Sequence, residues 1–359
     1  MIGKSSRPVS DPGRILVIQL GDIGDVVLTT PALKVLSRLF PGSEITVALR
    51  DKTAELLEGQ SCVSRVIPVR KTSEPWYRKV LGNASFFLNL RRSRFDTAVD
   101  LRTGSRGTIL AVLSGAERRI GRYTTPGCFW RRFFFTDLVR PEPAVELLDY
   151  APRHHLNIIQ PLLDGPVEAP TPELAVSPAS VEKAREILAA SGVPEGRPVV
   201  AVHPFSLWRY KEWGDDKWKA VIEHLKGRHR VSIAVTGAPE DRDRASEMVG
   251  RFREGVYNLA GKTPLGLFPA LLEACRLVVG VDTAALHIGA AVGTPTVGIF
   301  GPSRTAVWAP RGAIHKVAAK SLPCVPCARK GCEDSGESMC LEELEANEVT
   351  DLIDGTLGI

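Results

Sequence analysis

Apolar and polar positions follow two rhythms along this chain. Residues 14–19 (RILVIQ) are a short apolar run rich in β-branched side chains, which predicts a buried strand. A glycine-containing turn follows, then helical spacing over residues 26–40 and a second strand over residues 43–49 (SEITVAL). Strand, helix and strand joined by short links predict a βαβ unit. Residues 63–69 and 97–101 continue the alternation. Residues 71–94 and 118–140 are less regular and mix clustered arginines with aromatics. The proline-rich stretch 162–178 breaks the pattern and reads as a linker. Beyond it the alternation restarts. Strands are predicted over 198–203, 231–236, 255–259, 277–282 and 296–300, and helices over 180–190, 215–226, 240–252, 265–274 and 284–292. Residues 342–353 have helical spacing. The expected layout is a flexible tail (1–13), a Rossmann-like domain with its linker (14–175), a second such domain (176–340) and a terminal helix (341–359).

Composition narrows the class. With 44% apolar and 24% charged residues, the chain is neither a collagen, a coiled-coil rod nor a disordered polymer. The net charge of +5 hides an asymmetry: residues 1–160 carry +9 and the rest −4. One half is therefore suited to an anionic partner such as nucleic acid, lipid headgroups or an acidic sugar, unless the charge is a solvated face. Residues 1–13 lack an apolar core, so no secretory signal is expected there. The most apolar stretch, 284–300, is interrupted by His287, Gly293 and Pro295, which fits a buried helix and strand and not a membrane span. Cys62, Cys128 and Cys275 are scattered singly, which fits a reduced, cytoplasmic setting.

Three motifs carry candidate chemistry. Gly21-Asp22-Ile23-Gly24-Asp25 follows the first strand. Gly21 and Gly24 permit a tight turn, but the spacing is not G-x-G-x-x-G, which argues against a nicotinamide-dependent oxidoreductase. Asp25 stands where the next helix begins, either as a cap or as a catalytic carboxylate; Asp22 reads as a turn residue. The second motif, His203-Pro204-Phe205-Ser206-Leu207-Trp208-Arg209-Tyr210-Lys211-Glu212-Trp213, is a basic aromatic loop after a strand. Lys211 there either meets a phosphate or is solvated, while Trp208 and Trp213 either pack or face ligand. The third runs from Asp282-Thr283-Ala284 through His287 to Gly301-Pro302. A helix starting directly after that strand offers its free N–H groups to an anion. Glu240, after another strand, suits ribose hydroxyls or a helix dipole, and Asp241-Arg242-Asp243 only formally reads as a metal-binding D-x-D.

Together the segments LGDIGDVVLTTPAL, HPFSLWRYKEW and VDTAALHIGAAVGTPTVGIFGP resemble glycosyltransferase family 9, the ADP-heptose:lipopolysaccharide heptosyltransferases, in order and spacing over most of the chain. The resemblance implies an α/β, GT-B type fold in which two Rossmann-like domains face a central cleft and close over the substrates. It implies inverting transfer from ADP-L-glycero-D-manno-heptose to an anionic lipopolysaccharide inner-core (Kdo-lipid A type) acceptor, with no catalytic metal. By motif position it makes Asp25 the catalytic base and Lys211 the contact to donor phosphate. Glu240 falls near the donor ribose, Asp282 on heptose hydroxyls, and Thr283 with the amides from Ala284 at the phosphate; His287 completes the donor set. The expected location is the cytoplasm, at the cytoplasmic face of the inner membrane, with no nucleic-acid partner. A scaffold that binds nucleotide-sugar without turnover, or a transferase with a related donor, is the alternative.

With that resemblance, Arg91, Arg92, Arg94, Arg102, Arg106, Arg118, Arg119 and Arg122 become candidates for the acceptor's carboxylates and phosphates, because guanidinium forks match oxyanions. Tyr77, Phe86, Phe87, Trp130 and Phe133 to Phe135 are either core or a peripheral contact with the membrane. Cys324-x2-Cys327-x4-Cys332-x7-Cys340 places four cysteines in one short segment. A structural zinc on four thiolates, disulfides and free thiols are all compatible with it, and a reduced compartment favours the metal.

Overall fold

The computed structural model describes residues 12–70, 84–123, 129–140 and 148–358. Residues 1–11 of the expected tail, Tyr77 and Cys128 lie outside the described residues. The chain divides into two compact units, Met1–Pro172 and Glu173–Ile359.

The first unit holds strands β1 (Arg14–Gln19), β2 (Glu44–Arg50), β3 (Arg65–Val69), β4 (Thr97–Asp100), β5 (Arg118–Arg122) and β6 (Asp137–Val139). Its described helices are α1 (Ile23–Val27), α2 (Thr30–Leu39), α3 (Ala84–Arg92), α4 (Ser105–Leu113) and α5 (Ala151–Ile159). All strand pairs are parallel, in the order β3-β2-β1-β4-β5-β6. The second unit holds β7 (Val199–His203), β8 (Ser232–Val235), β9 (Val256–Asn258), β10 (Leu277–Val281), β11 (Thr296–Ile299) and β12 (His315–Ala318). Its helices are α6 (Pro178–Ala190), α7 (Asp215–His229), α8 (Arg242–Gly250), α9 (Phe268–Glu273), α10 (Ala284–Ala291), α11 (Thr305–Trp308), α12 (Met339–Glu342) and α13 (Ala346–Leu357). The strand order β12-β11-β10-β7-β8-β9 repeats that of the first sheet.

Continuous apolar runs form these central strands because parallel sheets are covered on both faces. Every residue of β10 and of β4 is buried. Leu16, Ile18 and Ala98 pack with Leu90 and Leu110 in the first unit, and Val200, Val279, Trp218 and Ile222 in the second. Each fully buried side chain of this size contributes about 1.5–3 kcal/mol. Gly280 lets β10 lie close to β7: a Cβ there would stand 3.1 Å from the His203 carbonyl oxygen.

The elements differ from the sequence pattern in several places. The single helix predicted over 26–40 is two, because Pro31 has no N–H for the Val27 carbonyl. The Thr30 hydroxyl donates to that carbonyl instead, at 2.8 Å. Strands β5 and β6 form inside the stretch that looked irregular, and β12 was not visible in the pattern. The predicted helix over 240–252 opens as a 3-10 turn, Pro239–Asp241, before α8. The terminal helix starts at Ala346, after the short α12.

Candidate active site

Both sheets change winding direction between their first and fourth strands, so crevices open at the carboxyl ends of β1 and β4 and of β7 and β10. The first and third motifs and the Lys211 loop all follow these four strands.

At the first switch point, Asp22 is the residue preceding α1 and Asp25 lies in its first turn. Asp25 is thus not the N-cap. Its Oδ2 accepts from the Asp22 backbone N–H at 3.0 Å and from Arg102 Nη1 at 2.9 Å. Oδ1 takes no hydrogen bond among the described residues. Gly21 is required here, since a Cβ at that position would come within 2.4 Å of Asp25 Oδ2.

Arg102 comes from the loop after β4, and two buried groups fix that loop. Arg131 Nη2 meets Asp100 Oδ2 at 2.9 Å with both side chains fully buried. Asp100 Oδ1 accepts from the Arg102 N–H at 3.1 Å, and Arg131 Nη2 also donates to the Arg102 carbonyl at 3.1 Å. Burial pushes the Asp100 carboxyl up to about 6, against the pull of Arg131.

Beneath Asp25 lies a buried polar network. His155 of α5 approaches the Leu28 carbonyl through Nδ1 at 3.1 Å, and its Nε2 lies 3.3 Å from Gln19 Nε2. These partners assign the proton to Nδ1, since a carbonyl accepts and an amide nitrogen donates. Gln19 Nε2 donates to Thr29 Oγ1 at 2.9 Å, and Thr29 donates to the Asp25 carbonyl at 2.7 Å. Burial pulls the His155 imidazole down to about 4, so it is neutral at pH 7.

At the second switch point, Lys211 Nζ meets Asp282 Oδ2 at 2.6 Å. Asp282 is 7% exposed and Lys211 22%, so the pair is sheltered but reachable. The Lys211 turn is braced from behind. Glu212 accepts from the Ser206 N–H at 3.0 Å and takes Arg244 on both oxygens, at 3.0 and 2.6 Å. Trp213 is buried and donates to the Leu344 carbonyl at 3.0 Å, whereas Trp208 stays 46% exposed. Only one of the two tryptophans therefore packs as core.

Thr283 precedes α10 in extended conformation, and its Oγ1 is buried without a hydrogen-bond partner among the described residues. The first N–H groups of α10, from Ala284, lack intrahelical acceptors, as at every helix start. An anion beside Lys211 would meet a lysine, a hydroxyl and a helix N-terminus together. His287 is buried one turn further in. Glu240 is exposed after β8, with no hydrogen bond or ion pair among the described residues. Asp241 accepts from the Ala238 N–H at 2.9 Å, which gives the D-x-D a local structural role. His203 closes β7, its Nδ1 2.9 Å from Thr236 Oγ1, and burial pulls it down to about 4.

The family model for glycosyltransferase family 9 (heptosyltransferase) matches residues 84–336. The chain belongs to glycosyltransferase family 9. It is a glycosyltransferase. Lipopolysaccharide heptosyltransferase 3 of Escherichia coli is 29% identical over 295 residues, covering 80% of this chain and 83% of the relative. The solved E. coli ADP-heptose lps heptosyltransferase II aligns with a TM-score of 0.80 at 19% identity, over 96% of this chain and 98% of that one. E. coli heptosyltransferase WaaC with ADP-2-deoxy-2-fluoro heptose aligns at 0.69 and 22%, over 95% and 99%. The two α/β units are those of the GT-B fold.

Within this glycosyltransferase the eight arginines separate. Arg102 holds Asp25, and Arg122 is half-buried near it, lowered by burial and by the Arg102 charge. Arg118 bridges Asp137 at 3.3 Å and the Pro161 carbonyl at 2.8 Å, and Arg119 holds the Phe134 carbonyl at 2.6 Å. Those two join β5 to its surroundings. Arg91 lies against Gly115, while Arg92, Arg94 and Arg106 are exposed. The aromatic stripe divides as well: Phe135 is buried, whereas Phe133 and Phe134 are 68% and 42% exposed, and Phe129, which the sequence pattern does not single out, is 61% exposed beside them. No helix among the described residues is long and apolar enough to cross a membrane.

Sequence reasoning missed Arg131, Asp100, Gln19 and His155. The signal for His155 was its place on the apolar face of the 151–159 helix, in step with Ala151 and Ile159. In the cysteine segment, Cys324, Cys327, Cys332 and Cys340 form no disulfide, and no three of their sulfurs gather within 4.8 Å of one another. Cys340 is buried, and Ser338 beside it donates to the Tyr210 carbonyl at 2.7 Å, so the segment braces the Lys211 turn.

Proposed function

We propose that this glycosyltransferase moves heptose from ADP-L-glycero-D-manno-heptose onto an anionic lipopolysaccharide inner-core sugar, with inversion and without a catalytic metal. The observation that carries the reading is the Lys211–Asp282 pair at the second switch point, beside Thr283 and the start of α10. The names of the relatives, and the ADP-2-deoxy-2-fluoro heptose in one of them, support the donor. Lys211, Thr283 and the amides from Ala284 take the diphosphate, Asp282 the heptose hydroxyls, and Glu240 the ribose. His287 supports α10 from its buried side.

In one displacement, the acceptor oxygen bonds to the anomeric carbon as the bond to phosphate oxygen breaks, and that electron pair leaves with ADP. The acceptor's proton goes to Asp25, whose Oδ1 is open while Arg102 and the Asp22 amide fix Oδ2. Charge growing on the leaving diphosphate meets Lys211 and the helix N-terminus, which do the work that Mg²⁺ does elsewhere. Arg102, Arg122 and the exposed Arg106, which follow the carboxyl ends of the strands, receive the acceptor's oxyanions at the cytoplasmic face of the inner membrane; Arg92 and Arg94 precede β4 beside Arg14, at the opposite edge of the sheet. Four thiolates in the cysteine segment hold a structural zinc, which requires their sulfurs to draw together.

The deciding test is Asp25→Asn with ADP-heptose and a Kdo-lipid acceptor in EDTA. Wild-type transfer persists without Mg²⁺, and the variant keeps donor affinity but turns over roughly 10²–10⁴-fold more slowly. Normal turnover in the variant removes Asp25 from the role. A strict Mg²⁺ requirement removes metal independence.

A further inference from the structure

The second unit carries a cluster outside the three transferase motifs. His224 and His229 of α7 both point Nε2 at the same oxygen, Oδ1 of Asp354 on α13, each at 2.7 Å. The other carboxylate oxygen is taken by Arg228 Nε at 3.1 Å. His229 is 3% exposed, His224 27% and Asp354 18%, so the cluster has a buried back and an open front. Among the described residues it is the one group of three such donors whose ligand atoms lie within 4.8 Å of one another.

From this arrangement we propose a binding site for a divalent transition ion, Zn²⁺ or a close analogue, formed by His224, His229 and Asp354. Two imidazoles and one carboxylate are a donor set that zinc takes, with a fourth position left to water. The open side at His224 supplies both the entry path and that water. Arg228 holds Oδ2, which leaves Oδ1 as a single-oxygen ligand and fixes its direction, as outer-shell partners do. Bonds of about 2.0–2.2 Å in a tetrahedron put ligand atoms about 3.4 Å apart, so each present N···O contact opens by about 0.7 Å. The Arg228 charge opposes the ion, but this side chain is half exposed and its charge is screened by water. The ion fastens α13 to α7. An ion that binds only the folded chain raises its stability by mass action.

The site is tested on the full chain, stripped of metal and titrated with Co²⁺, then with Zn²⁺ in thermal melts. Nitrogen and oxygen ligands give cobalt visible bands without the intense near-ultraviolet thiolate band, which separates this site from the cysteine segment. One such ion is expected, and it persists in Cys324→Ser/Cys327→Ser/Cys332→Ser. It weakens by more than about 100-fold, beyond the loss from an outer-shell partner, in His224→Gln and in Asp354→Asn. Arg228→Ala, which keeps all three ligands, retains the spectrum. His224 is partly exposed, so its variant folds; its metal-free melt near that of wild type confirms this. Wild-type Zn²⁺ stabilisation and the nitrogen-and-oxygen cobalt bands persisting in both ligand variants, each made on the three-serine background, overturn the proposal, as does a spectrum that vanishes with the cysteines.

Discussion

A single neutral imidazole underlies the turn that presents Asp25. His155 accepts from Gln19 and donates to the Leu28 carbonyl, and protonating it would remove the acceptor and bury a charge. Its folded-state pKa, about 4, lies below the usual histidine value of about 6.5. Between those values the unfolded chain binds the extra proton, so stability is complete above about pH 6.5 and is lost as pH falls toward 4. The loss from this group is on the order of 3 kcal/mol at full shift. Urea unfolding from pH 7.5 to 4 measures it: His155→Gln, already less stable at pH 7, shows a flatter slope across that window. An unchanged slope assigns the acid sensitivity to other groups. Asp25 itself was legible from its motif, because a carboxylate after a glycine turn is a local pattern. Its contact with Arg102 was not, since 77 residues separate the two.

Among the elements, the central strands were readable because burial on both faces leaves an apolar run. β5 was not, because its sequence RRIGR buries only Ile120 and Gly121 fully and spends its arginines on Asp137 and backbone carbonyls. β12 was hidden for a similar reason: HKVA has one fully buried residue. The 3-10 turn Phe129–Phe133 shows how such a segment is held. It inserts Arg131 below the loop after β4, over the Phe135 ring at 4.4 Å and onto Asp100. Arg131→Met strands a buried carboxylate and is expected to cost about 3–5 kcal/mol by denaturant unfolding. Burial pushes the Asp100 carboxyl up and Arg131 holds it down to about 6, so without Arg131 the orphan takes its proton at higher pH, and the deficit shrinks as pH falls toward 6, where the carboxyl becomes protonated in both proteins. Arg131→Met/Asp100→Asn removes the charge altogether and recovers part of the loss. A deficit independent of pH would place the damage in lost packing.

For the molecule as a whole, the two units share one strand order yet differ in charge, with the excess of cations in the first 160 residues. Each sheet sets an acid–base pair across its switch point, Asp25–Arg102 in one and Asp282–Lys211 in the other. The topology creates that repetition without any sequence repeat, since each partner comes from a strand end chosen by winding order. The exposed rings of Phe129 and Phe133, with Arg132 stacked 4.8 Å over Phe133, add an apolar and cationic patch to the basic unit. Such a patch suits an anionic lipid surface: basic residues contribute about 1 kcal/mol each there, and each inserted ring about 1.5–3 kcal/mol if fully buried. Sedimentation with vesicles tests it. Binding to vesicles containing phosphatidylglycerol is expected, weakening with salt, and little binding to neutral phosphatidylcholine. Phe129→Ser/Phe133→Ser lowers affinity for the anionic vesicles at least about tenfold, because only part of each ring's burial energy need be lost. The same variant keeps its turnover on a soluble, short-chain acceptor, since both rings are exposed. Equal vesicle binding by variant and wild type would leave the basic charge alone as the attraction.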